Sequence, residues 1–265
     1  MASRVALVTG SSGGLGRSIA LRLAQSGVTI AVTARRDPNY PGTVDETKAM
    51  IEQAGGTAFT YDCDLSKADE RAELVSRVQA DLGEIDILVN NAAVSHMEPL
   101  ATFPMKRLDL MLDVQVRTPM ILAQGVIPGM KARGRGWIVN ITSPAAIHPE
   151  PTDGLDWSRN TVYGMCKAAL ERFTTGLAAE LYDDGIDVNA LAPRTMVKTF
   201  GAAAFFDVDE HETEPPELIA EAVAQLTDPD VERVTGGIFY TASGYDLAAP
   251  FGPAYSEGHA LIRQH

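Results

Sequence analysis

The sequence has few cysteines, little basic charge and no long apolar run. Only two of its 265 residues are cysteine. Cys63 and Cys166 lie far apart and lack metal-type spacing. That excludes a disulfide scaffold and reads as two free thiols in a reducing compartment. Against 35 Asp and Glu stand 22 Lys and Arg, a formal net charge of −13. So acidic a chain is a poor partner for nucleic acid or for an anionic membrane surface, since both demand basic surface. No stretch approaches the length of a membrane helix, and the N-terminal VALV is too short for a signal h-region. The expectation is a cytoplasmic protein with no membrane or nucleic-acid partner and no bound metal. Internal repeats, low-complexity tracts and clear linkers are also missing, so a single domain over 1–265 is expected.

What is present is a core-forming supply of apolar residues, 45% of the chain, arranged as short β-rich runs alternating with longer helical patterns. The runs are 4–9, 28–34, 57–62, 85–90, 136–142, 186–192 and 237–241. Helical patterns follow the first of them up to a stop at Gly27, and span 67–82 and 161–182. Strand runs apolar on both faces and separated by helices imply a parallel sheet covered on both sides. The expected fold is α/β, a Rossmann-type doubly wound, seven-stranded, mostly parallel sheet with helices on both faces. Two breaker-rich segments, near 144–161 and 196–216, read as insertions at the carboxyl ends of strands, where ligands sit in such folds.

The stretch TGSSGGLG, residues 9–16, lies between the first run and the first helix. Gly10 lets the chain turn sharply off the strand. Gly14 and Gly16 remove side chains, so that backbone can approach a pyrophosphate and helix can pack on sheet. The helix then presents free N–H groups and a positive dipole end to an anion.

Further along, Tyr163 and Lys167 stand one turn apart on a predicted helix and share a face. A neighbouring ammonium favours the phenolate and suits Tyr163 to general acid/base work. Ser143, just after the fifth run, carries a hydroxyl able to hold a carbonyl oxygen.

The spacing Thr9-Gly10-x-x-x-Gly14-x-Gly16 resembles the short-chain dehydrogenase/reductase family, and further motifs match in order over roughly residues 5–241. They are Asp64-Leu65, Asn90-Asn91-Ala92-Ala93, Ser143, Tyr163-Gly-Met-Cys-Lys167, Asn189 with Pro193, and Val234-Thr-Gly236. The resemblance implies an oxidoreductase interconverting a ketone or aldehyde and an alcohol by hydride transfer from a nicotinamide cofactor. Ser143, Tyr163, Lys167 and Gln115 are its candidate catalytic residues. Gly10, Ser12, Gly14, Leu15, Gly16, Arg35, Asp64, Leu65, Asn91, Ala92, Tyr163, Lys167 and Met196 are its candidate cofactor-binding residues. Asp64 falls where the family contacts adenine, and Lys167 where it holds the nicotinamide ribose. The family also implies a homodimer or homotetramer built on the 161–182 helix and the one around 105–133.

This chain departs from the family at several points. Gln115 replaces the usual catalytic Asn, Arg194 the usual Gly after Pro193, and Ala93 the usual Gly. The Ser143–Tyr163 interval is longer than the family's and includes His148 and Trp157. Arg194 either clamps an anionic group or points to solvent, with solvent favoured. Phe200, Phe205 and Phe206 read either as a lid over an apolar substrate or as packing residues. At the end of the second run the acidic position of NAD-binding sites falls on Ala34, with Arg35 next to it. Charge and bidentate geometry there favour a 2′-phosphate, hence NADP(H). Asp37 is the feature that would restore NAD. The alternatives are a catalytically impaired nucleotide-binding regulatory protein of the same fold, which Gln115 and Arg194 favour, and an NAD-dependent alcohol dehydrogenase.

Overall fold

The computed structural model describes residues 3–38, 40–149, 159–197 and 213–241. The first strand, β1 (Val5–Thr9), is buried along its whole length. Its side chains alternate between two cores: Ala6 and Val8 join one apolar cluster, Val5 and Leu7 the other. Period-two alternation with both sets apolar is what a central strand covered on both faces requires.

Around β1 the chain winds in two directions. Strands β2 (Thr29–Ala34), β3 (Thr57–Asp62), β4 (Ile87–Asn90), β5 (Gly136–Ile141) and β6 (Ile186–Ala192) join it, together with a late strand, β9 (Ile238–Tyr240). The sheet order is β3-β2-β1-β4-β5-β6-β9, and every paired strand runs parallel. The expected seven-stranded, mostly parallel sheet is present, and its pairing is parallel throughout. β7 (Met196–Val197) and β8 (Thr213–Glu214) pair separately in a small two-stranded ladder.

Helices α1 (Gly14–Gln25), α2 (Val44–Gln53), α3 (Ala68–Leu82), α4 (Met105–Leu112), α5 (Thr118–Arg133), α6 (Thr161–Glu180) and α7 (Pro216–Leu226) cover the sheet. On one face α1 packs against α7, where Arg22 Nε donates to Glu221 Oε2 at 2.6 Å. On the other lie α3, α5 and α6. Thr43 caps α2 through a reciprocal capping box with Glu46. The predicted 161–182 helix ends sooner, at Glu180, and continues as a short 3-10 turn, Tyr182–Asp184. Between α4 and α5 the helix does not break but widens into a π turn, Asp113–Arg117. No described helix is long and apolar enough to cross a membrane.

Chain order reverses between β1 and β4, and the crevice at their carboxyl ends is where this architecture binds ligands. A buried polar chain fixes the neighbouring strands and α6 in register. Asn90 Nδ2 donates to Asn140 Oδ1 at 2.8 Å, and Asn140 Nδ2 donates to Thr174 Oγ1 at 2.8 Å. Asn140 is fully buried. An Asn140→Ala substitution leaves Asn90 without its acceptor and Thr174 without its donor. It should lower the unfolding free energy by about 2–4 kcal/mol, read as a lower urea midpoint at unchanged m-value.

Candidate active site

The turn after β1 is held from three sides. Gly10 and Gly14 take positive φ values of 66° and 52°, a region where only glycine is free of strain. A Cβ on Gly16 would collide with the Gly10 carbonyl oxygen and with the Asn91 side chain. Just past β4, Asn91 Nδ2 donates to the Thr9 carbonyl at 2.9 Å and the Gly10 carbonyl at 3.1 Å. The Thr9 hydroxyl in turn accepts the N–H groups of Asn91 and Ala92, at 3.0 and 3.1 Å. From β2, Thr33 N donates to Ser11 Oγ at 2.8 Å. Ser12 is buried, and its carbonyl accepts from the Arg17 guanidinium. Leu15 packs against the core. α1 follows Gly13 at its N-cap, with no side-chain cap and no acidic residue in its first turn. Its leading N–H groups are thus a ready anion site. The cradle fits a dinucleotide pyrophosphate.

At the carboxyl ends of β2 and β3 lies a cavity of about 390 Å³, lined among others by Arg35, Arg36, Asp37, Asp64 and Lys67. Arg35 pairs with Asp37 at 2.8 Å and is more than half exposed. Arg36 pairs with Asp62 at 2.5 Å. Ala34 ends β2 and is buried. The Asp64 carboxyl accepts from Ser66 N and Ser66 Oγ, at 3.1 and 2.7 Å. Burial alone would raise its pKa, but these bonds and the nearby Arg35 hold it below the ordinary value. The neighbouring Leu65 is buried.

On the other side of the crevice, β5 and α6 bring Ser143, Tyr163 and Lys167 together. Ser143 lies two residues past β5 and caps the short turn Pro144–Ala146. Gly164, next to Tyr163, lets α6 approach that turn, because a Cβ there would press on the Ala145 carbonyl. The Tyr163 phenol hydrogen-bonds with Ser143 and Ser95. Burial pushes its pKa up, while those two hydroxyls pull it down. Lys167 is buried; its Nζ donates to the Ile141 carbonyl at 3.0 Å and lies 5.7 Å from the Tyr163 ring centre. Burial lowers its pKa to about 8, against the raising effects of Cys166 and Glu171.

Gln115 sits in the π turn, 1% exposed, and its Nε2 donates to the Val94 carbonyl at 2.9 Å. Its Oε1 is buried and has no protein partner. A π turn is a frequent mark of a functional position, and this one packs against α6.

Other sequence candidates have structural duties. Asn189 accepts from Gly237 N at 3.0 Å and donates to the Val234 carbonyl at 2.7 Å, which ties β6 to β9. Arg194 is exposed; its N–H donates to Thr241, whose hydroxyl bonds Glu214. Met196 opens β7. His148 is exposed. Trp157, Phe200, Phe205 and Phe206 lie outside the described residues.

Sequence reading missed Ser95, which has no motif around it. It also missed the pair Thr142 and Glu171. Thr142 Oγ1 donates to Glu171 Oε1 at 2.9 Å in a fully enclosed setting. An acid on the buried stripe of α6, one turn past Lys167, was the available signal.

Comparison with known proteins agrees with this geometry. Residues 4–208 match the profile of the short chain dehydrogenase family. A short chain dehydrogenase of Pseudocercospora fijiensis is 37% identical over 75% of this chain and 62% of its own length. Dehydrogenase/reductase SDR family member 4 of Bos taurus is 34% identical over 91% of this chain and 87% of its own. A metagenomic short-chain oxidoreductase solved in complex with NADP superposes with a TM-score of 0.74. It is 30% identical, over 91% of this chain and 99% of that one. With the sheet order, the glycine cradle and the Ser-Tyr-Lys grouping already in place, the chain belongs to the short-chain dehydrogenase/reductase family of oxidoreductases.

Proposed function

We infer that this chain is an NADP(H)-dependent oxidoreductase interconverting a ketone or aldehyde and an alcohol, with Tyr163 as general acid/base. The observation that carries the reading is the Tyr163 phenol, bonded to Ser143 and standing on the same helix face as buried Lys167. Gly10, Ser12, Gly14, Leu15 and Gly16 would hold the pyrophosphate, Asp64 and Leu65 the adenine. Asn91, Ala92, Met196, Tyr163 and Lys167 would flank the nicotinamide half. The cofactor supplies or takes the hydride.

The residues do the rest. Ser143 Oγ donates a hydrogen bond to the substrate carbonyl oxygen and fixes it beside the phenol. Tyr163 gives its proton to that oxygen as negative charge builds there, and in the alcohol-to-ketone direction its phenolate takes the proton back. Desolvation keeps the phenol protonated, which suits it as an acid, and the Lys167 ammonium stabilises the phenolate it leaves. Gln115 Oε1, buried and without a protein partner, would accept from a water between the π turn and α6 and return the proton by that path.

NADP(H) is favoured because β2 ends in Ala34-Arg35 instead of a carboxylate. The complex of the metagenomic relative with NADP supports it. A 2′-phosphate at Arg35 competes with Asp37 for the guanidinium. Phe103, Met111 and Val162 pack with Tyr163, an apolar wall suited to a neutral or apolar carbonyl compound. Leu100, Met105, Met120 and Met165 are exposed on or beside α4, α5 and α6, which supports a homodimer or homotetramer built on those helices. The free thiols of Cys63 and Cys166 support a cytoplasmic setting.

Tyr163→Phe should lower NADPH-dependent ketone reduction by at least about 100-fold in kcat while NADPH affinity, measured by fluorescence titration, stays within about twofold. Retained turnover would remove Tyr163 from the mechanism. Arg35→Ala should weaken NADPH binding by about tenfold or more and leave NADH nearly unchanged. Equal NADPH affinity in that variant would reverse the cofactor assignment.

A further inference from the structure

Glu171 is 4% exposed, yet it carries an ionisable carboxyl in the interior of α6. Burial of such a group is costly unless it is hydrogen-bonded and balanced by charge. The hydrogen bond is in place and an opposite charge acts from one turn away, and both lead to the site. Thr142 Oγ1 donates to Glu171 Oε1 at 2.9 Å. Thr142 stands between Ile141, whose carbonyl accepts from Lys167 Nζ, and Ser143, which bonds Tyr163. Its own N–H is fixed to the Leu191 carbonyl at 2.8 Å. One turn back along the buried stripe of α6 is Lys167 itself, the charged group that acts on the carboxyl.

We propose that Glu171 is a positioning residue: it clamps the segment between β5 and Ser143 through Thr142 and places a carboxylate one turn from Lys167 on the same buried stripe of α6, so setting the alkaline limit of turnover. This rests on the Tyr163–Lys167 reading above. Glu171 touches neither substrate nor cofactor and acts through the lysine.

The charges around α6 leave it in this role. On α6, Cys166 is a thiol raised by burial and Arg172 and Glu180 are exposed. On α4, Lys106, Arg107 and Asp109 are exposed. On the π turn, Asp113 is paired with Arg71 and Arg117; on β6, Asp187 is paired with Arg233. In the turn after α6, Asp184 is paired with Lys131, and Asp183 is exposed. The turn Pro144–Ala146 carries no ionisable side chain. The groups acting on Glu171 are Thr142 and Lys167. Burial pushes Glu171 up to about 7 and Lys167 down to about 8.

Glu171→Gln keeps an Oε1 acceptor for Thr142 and removes the charge. The test is the titration of the Lys167 13Cε resonance, assigned by its loss in Lys167→Met, alongside the pH profile of kcat for NADPH-dependent reduction. The midpoint of Lys167 should fall by about half a unit or more, as expected when a nearby opposite charge is removed. The alkaline limb should move with it, so that kcat drops by about threefold or more near pH 9 and is nearly unchanged near pH 6.5. Glu171→Asp should recover part of the shift. A loss of activity uniform in pH, or an unchanged Lys167 midpoint, overturns the proposal. So does a lowered midpoint with an unmoved alkaline limb. Thr142→Val, which removes the donor that favours the carboxylate, should shift the midpoint in the same direction and stands as a second variant. Failure of the underlying reading shows separately, as turnover retained in Tyr163→Phe.

Discussion

The ammonium of Lys167 is anchored inside the protein by a backbone carbonyl, that of Ile141, at 3.0 Å. A cation in that place has surrendered most of its water, and burial accordingly pulls its pKa to about 8. The neighbouring architecture makes the arrangement tolerable. β5 must end where its last carbonyl faces α6. α6 must lie close enough to reach it, which the missing side chain of Gly164 permits. Tyr163 must then share the helix face with the lysine. The Asn90–Asn140–Thr174 chain holds strand and helix at that separation from within the core.

Much of this was legible in the sequence. The seven sheet strands fall close to their apolar runs: all but the edge strand β3, which alternates buried and exposed residues, are buried on both faces, a pattern that amphipathic helices do not share. The glycine turn and the Tyr163–Lys167 pair were legible because each depends on spacing along the chain: a turn needs glycine at fixed steps, and a helix brings i and i+4 together. What was not legible depends on contacts across the chain. Ser95 reaches Tyr163 from the segment after β4, and no local pattern marks it. Thr142 and Glu171 meet because a strand end and a helix interior happen to face each other. Asn189 matched a motif, yet its amide ties β6 to β9. The π turn is a matter of backbone register that residue type alone does not dictate.

The two ends of the crevice differ in electrostatic character. At the β2 and β3 end, exposed arginines are already engaged by acids, Arg35 by Asp37 and Arg36 by Asp62. Ligand charge there competes with existing partners in a solvent-screened setting, where each pair contributes little. At the β5 and α6 end the charged groups are few, buried and mutually dependent. A substitution at the first end therefore tunes preference, and one at the second changes what protons the site can move.

Asn91 templates the turn after β1. Its side chain grips the carbonyls of Thr9 and Gly10, while its N–H rests on the Thr9 hydroxyl. The loop that carries the phosphate cradle is thus not an autonomous cassette. Its shape is stored partly in a residue more than seventy positions later, just past the end of β4, where the chain leads toward the chemical half of the crevice. Grafting residues 9–16 into another scaffold would transfer the glycines without their template. Recombination between homologues would keep the cradle intact only when the crossover leaves Thr9 and Asn91 from compatible parents.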